Sequence, residues 1–217
     1  MKQLFFIITL FLLISDTKAQ FIGDGSTSKP YYTITTSIQG SPFFTDSWSI
    51  GIITTESGKE YNNFQWKFNL YSSELVFNIN DSMYLFTEQV KEFQLQINKG
   101  ASFTTAKFIK SKFIHNLLPP VFVQELVKGN LNFYKHCKKE VVEVAAYNTV
   151  KNQQFEERLT FYIIRDNNLK SVSLNRKSLE EVLKDKWAQV STYMEQNNLS
   201  AKTEQGWAAA ISYYNTL

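Results

Sequence analysis

Residues 63–70 constrain this chain more than any other stretch, because Phe64, Trp66, Phe68 and Leu70 alternate strictly with Asn63, Gln65, Lys67 and Asn69. A period of two puts the four apolar side chains on one side of a β-strand and the polar set on the other. Slipping that strand by one residue would bury the polar set, so the aromatic side must meet a core. The same row has a second conceivable use as a ligand platform, but half-buried antiparallel sheets show this alternation as ordinary core packing.

Neighbouring segments repeat the signal. Residues 31–38 alternate in the same way, 47–55 form a second strand, and a turn around Gly58 leads into the aromatic one. Further short strands are expected at 75–78, 83–86, 93–97 and 103–109, with Asn80, Asp81 and Ser82 forming a turn between the first two. Helical crossovers are missing through this half, which excludes parallel βαβ units. Pro119 and Pro120 break the pattern, and residues 121–128, ahead of Gly129, read as a short helix with Pro at its start and Gly at its end. Strands resume at 131–137, 141–147, 155–165 and 169–174, the last two joined by a tight turn at Asp166, Asn167 and Asn168.

The ending changes to a helical period. Ser178 and Glu181 form a capping box, and Leu179, Val182, Leu183, Trp187, Val190, Tyr193 and Met194 make one apolar stripe, giving a helix over 179–196. Ser200 caps a second helix over 201–215, carrying Trp207, Ile211 and Tyr214. The expected fold is α+β and mainly β: a curved antiparallel sheet, an open barrel or a sandwich, with a C-terminal helical hairpin packed on it.

The amino terminus has a different character. Lys2 is followed by an eleven-residue apolar run at 4–14 and then by Thr17, Lys18 and Ala19, the make-up of a secretory signal peptide over 1–19 cut before Gln20. A helix needs about 20 apolar residues to span a bilayer, and no later segment is apolar enough. A permanent transmembrane segment is therefore not expected after cleavage. Residues 20–30 read as a flexible lead-in and 31–217 as a single β-rich domain. Export makes the location periplasmic or extracellular.

Removing 1–19 takes away Lys2, Lys18 and Asp16 and lowers the formal net charge from +3 to +2. The densest basic cluster, at 135–139, is diluted at once by Glu140 and Glu143. Nucleic acid is not an expected partner. Aromatics are plentiful, with 18 Phe, 11 Tyr and 4 Trp against 4 Pro and 8 Gly, which excludes a disordered chain.

Catalytic chemistry finds little to stand on. Cys137 is the single cysteine, so no intramolecular disulfide forms, and it reads as an inert structural thiol. His136 stands beside it, but adjacent strand residues point to opposite faces. His115 is the one other histidine. Two histidines and a cysteine do not fill a typical zinc site. The adjacent carboxylates Glu156 and Glu157 face apart, as do Glu180 and Glu181, the second pair serving the helix start. No nucleophile elbow, phosphate loop or dinucleotide fingerprint is present. No catalytic, metal or cofactor-binding residue is assigned, and an enzyme is not expected. Two glycosylation triplets, starting at Asn80 and Asn198, fall in expected turns.

The segments 129–135, 161–169, 178–186 and 213–217 together resemble a loose group of uncharacterised exported bacterial proteins with a β-rich body and a short helical tail. The resemblance implies an envelope location and supplies no catalytic residue. The expected function is thus a secreted or periplasmic non-enzymatic role in binding or envelope organisation, with an envelope protein or an apolar ligand as partner. Two alternatives stand beside it: a carrier of an apolar ligand or lipid in a half-open barrel, and a hydrolase without a recognisable motif.

Overall fold

A computed structural model describes residues 28–32, 38–98, 100, 102–116, 118–144 and 152–217. The signal-peptide reading, most of the lead-in and parts of the strands expected at 31–38 and 141–147 lie outside these residues. In chain order the strands are β1 (Ser28–Pro30), β2 (Ile38–Gln39), β3 (Ser49–Thr55), β4 (Glu60–Tyr61), β5 (Gln65–Asn69), β6 (Glu74–Ile79) and β7 (Ser82–Phe86). They continue with β8 (Val90–Asn98), β9 (Phe103–Lys110), β10 (Phe122–Val127), β11 (Leu131–Val144), β12 (Asn152–Arg165) and β13 (Asn168–Val172). Three helices end the chain: α1 (Arg176–Val182), α2 (Trp187–Gln196) and α3 (Glu204–Tyr214).

All thirteen strands belong to one open sheet, ordered β1-β7-β6-β5-β3-β8-β9-β10-β11-β12-β13, with β4 on β3 and β2 on β12. The pairing is antiparallel throughout except for β2, which runs parallel to β12 at Gln153 and Gln154. The mainly β, curved antiparallel architecture with a helical C-terminus is therefore as the alternation predicts, with a small parallel pair added.

β3 is the corner at which the sheet folds over. Its first two residues pair with Gln65 and Trp66 of β5, while Gly51 to Thr55 pair with β8. On the β4–β5 side, Ile53 pairs with Tyr61 and Ile50 with Gln65, so three steps along β3 face four along the partner. That extra residue is a bulge, the usual device by which a strand bends from one sheet into another. Gly51 sits at the bend, where a Cβ would lie 2.3 Å from the Gln94 carbonyl oxygen. A side chain there would require the backbone to move.

The fold-over creates an aromatic core. Trp66, Phe68 and Phe77 from β5 and β6 face Phe93, Phe108 and Phe122 from β8, β9 and β10. The row recognised at 64–70 is core, with Trp66 fully buried and Phe68 and Leu70 nearly so. Next to it on the same side of the sheet, α1 to α3 cover β11 to β13, burying Leu131, Phe133, Leu179, Val190, Trp207 and Ile211. β11 runs beneath both. Phe133 belongs to the helical core and Cys137 to the aromatic one. Between them Lys135 extends its ammonium to Glu204 of α3, 2.8 Å away.

Several sequence expectations are corrected. The part of the lead-in that is described, Ser28–Pro30, is strand: it pairs with β7 at the sheet's edge, where a Pro removes no needed hydrogen bond. Residues 121–128 are not a helix. Phe122 is buried in the aromatic core while its neighbour Val123 is buried on the reverse side, a two-faced burial that a strand provides. The segments 131–137 and 141–147 are not two strands, because β11 is continuous for fourteen residues.

The helical ending also differs in detail. The helix expected over 179–196 is two, separated by a 3-10 turn at Lys184–Lys186. Tertiary contacts hold that turn, since Asp185 accepts from the Tyr214 hydroxyl at 2.7 Å and lies 3.6 Å from Arg165. Asn175, not Ser178, caps α1, its side chain accepting from the Ser178 amide at 2.9 Å, and Glu181 pairs with Lys170 instead of closing a capping box. Thr203, not Ser200, caps α3 by accepting from the Gly206 amide at 3.1 Å.

Candidate binding face

The side of the sheet away from the helices and the aromatic core carries its polar chemistry. Strand register aligns Ile52, Gln94, Lys107, Glu125, Tyr134, Tyr162 and Ser171 directly across β3, β8, β9, β10, β11, β12 and β13. Opposed residues share a face, so these seven form one row across the back of the sheet.

The middle of the row is charged and already paired. Lys107 Nζ stands 3.6 Å from a Glu92 carboxylate oxygen and 3.7 Å from one of Glu125. Tyr134 follows, buried over Val123 and Ile164, and its phenol is pushed up to about 12 first by that burial and then by the Glu125 charge. A groove of about 320 Å³ runs beside these groups, with Ile109, Phe113, Ile114 and Asn132 in its walls. It is closed on one side by the chain between β9 and β10, where His115 Nε2 is 3.0 Å from the Asn167 carbonyl oxygen.

The β3 end of the row is neutral. Here a second groove of about 340 Å³ is lined by Asn62, Asn63, Gln94, Gln96 and Thr105 around Ile50, Gly51 and Ile52. The β3 bulge sets Asn62 and Asn63, and the two isoleucines stand 61% and 43% exposed. A third groove, of about 310 Å³, lies elsewhere, at the mouth between the two layers beside Glu88, which pairs with Lys59 and accepts from the Tyr61 hydroxyl.

The residues weighed for catalysis are dispersed. Cys137 is buried, and burial first, then the Glu157 carboxylate, pushes its thiol up to about 12, far from a reactive thiolate. His136 lies on the opposite side of β11, opposed to Thr160 while Cys137 is opposed to Leu159, and burial lowers its ring below the usual range. His115 is buried at the turn between β12 and β13. Glu156 pairs with Arg158, which also faces Glu140, and Glu181 pairs with Lys170. Asn80 and Asn198 both occupy exposed turns with positive φ. Among the described residues no three His, Cys, Asp or Glu side chains stand close enough to hold a metal ion. No described helix is long and apolar enough to cross a membrane.

The sequence does not single out the row. Gln94 and Lys107 fall in expected strands and Glu125 in the segment that reads as a short helix, and their alignment appears only once the register is known. No protein-family model, curated protein or solved structure matches this chain.

Proposed function

We propose that this is an exported, non-enzymatic protein of the bacterial envelope that works by binding, with the back of the sheet as its recognition surface. The observation that carries the reading is the division of labour between side chains. Reactive groups are spent inside the fold, as with Cys137 in the aromatic core and His115 at a backbone carbonyl. The back face instead turns amides, an ion-paired row and exposed isoleucines to solvent, the mix of a few placed polar groups with apolar area that ligand sites use.

The carrier alternative finds less support. Ring centroids of Phe68, Phe93, Phe108 and Phe122 lie 4.8 to 5.8 Å apart across the fold-over, so side chains occupy the space a lipid would need.

Native mass spectrometry of the protein purified from its own envelope tests the proposal. The chain is expected to begin at Gln20 and to carry a partner or ligand that Ile52→Lys and Lys107→Gln release while the protein stays cooperatively folded. A chain beginning at Met1 would remove the export reading. Binding that ignores both substitutions would remove the back face as the surface.

A further inference from the structure

We infer that the neutral groove at the β3 corner is a site for a neutral glycan, a short stretch of hydroxyl-rich sugar chain. The inference rests on the back face being the binding surface and adds the chemistry of the ligand.

Charge is the first argument. None of the groups lining the groove is ionisable, so a charged ligand would shed hydration there and meet no opposite charge. The nearest cation along the row, Lys107, has its charge engaged by Glu92 and Glu125. The lining itself therefore offers an anionic polymer no cation to pair with.

Hydrogen bonding is the second. Asn62, Asn63, Gln94 and Gln96 each offer two donors and an acceptor, and Thr105 adds a hydroxyl that does both. A sugar ring presents hydroxyls that likewise donate and accept, so neighbouring amides satisfy it in either sense. A peptide strand would instead ask for a free sheet edge. Gly51 and Ile52 have Leu95 and Gln94 of β8 paired along one edge and the bulged β4–β5 segment along the other, and the groove opens on the face between side chains.

Apolar contact is the third. Ile50 and Ile52 give the groove an exposed aliphatic floor for the C–H faces of sugar rings. Trp48, two residues earlier in the same alternation, is half-buried, with Lys67 Nζ 4.9 Å from its ring centroid. Part of the platform is fixed, because Gln94 and Gln96 project from the paired strand β8 and the backbone at Gly51 is wedged against Gln94.

Titration of the full-length exported chain with malto-, cello-, manno- and chitohexaose, followed by calorimetry and tryptophan fluorescence, tests the site. Saturable binding of at least one hexaose is expected. The double variant Gln94→Ala/Gln96→Ala should weaken it at least tenfold with an unchanged melting temperature, and Lys170→Ala, at the far end of the sheet, should not. Absence of binding by all four, or binding that the double variant leaves intact, overturns the inference. Preferential binding of polygalacturonate or heparin overturns the ligand class. In each of these cases a native partner that still depends on Ile52 and Lys107 leaves the binding-face reading standing, so the two failures are told apart.

Discussion

Trp66 and Trp207 are both fully buried, one in each core, yet their indole N–H groups are treated differently. Trp207 donates to the Ala201 carbonyl at 2.8 Å, whereas Trp66 Nε1 finds no acceptor among the described residues and lies among the rings of Phe64, Phe77 and Phe86. The same contrast runs through the two halves. In the aromatic core, strands distant in sequence are joined by ring against ring, such as Phe68 on Phe122 at 5.8 Å. In the helical half a few directional bonds fix the cover: Asn215 accepts from the Leu131 amide and donates to its carbonyl, both at 2.9 Å, and Arg165 donates to the Val182 carbonyl at 3.0 Å. Shape specifies the first half and directional polar bonds specify the second.

The largest expected effect treats both halves alike. Trp66→Ala and Trp207→Ala each remove a fully buried indole and should each cost about 3 to 5 kcal/mol in urea unfolding. A cost near zero at either position would show that its half does not contribute to the cooperative unit.

Replacement by Phe separates them. Trp207→Phe loses volume and also leaves the Ala201 carbonyl without its donor, while Trp66→Phe loses volume but removes an unpaired buried N–H. Since an orphaned buried polar group costs about 1 to 3 kcal/mol, Trp207→Phe should be the more destabilising by about 1 kcal/mol or more. Equal midpoints and slopes for the two variants would break the comparison.

The contrast also explains what the sequence made legible. Alternation is a local property, so the strand at 64–70 could be read directly together with its dry side, and the strands at 93–97 and 103–109 could be read as strands. The ends of α1 and α3 could not, because Asn175 and Thr203 compete with equally plausible caps at Ser178 and Ser200, and three-dimensional contacts decide. The split between α1 and α2 depends on Tyr214 and Arg165 reaching Asp185, contacts separated by 29 and 20 residues. β10 is hidden because flanking Pro and Gly read as helix ends, while the burial of Phe122 and Val123 on opposite faces is revealed only by the sheet. The back-face row was invisible for the same reason: each residue is unremarkable alone, and register makes the site.

The smallest effect tests one of the polar ties itself. The Tyr214 hydroxyl, foremost, holds the Asp185 carboxyl below its ordinary range, with Arg165 adding to it. A carboxylate with a depressed folded pKa contributes stability above its unfolded value of about 4 and loses it as pH falls through the folded one. The Asp185 side chain is 46% exposed, so screening keeps the contribution under about 1 kcal/mol. Asp185→Asn should therefore be slightly less stable than the parent at pH 7, with the difference closing as the pH is lowered below 4. In the parent, hydrogen exchange at the Trp207 indole should quicken over that window more than exchange at Trp66, because the tie fastens the helical cover alone. Equal acceleration at both indoles would mean that the two cores open together, and that the polar bonds serve the whole sheet instead of one half of it.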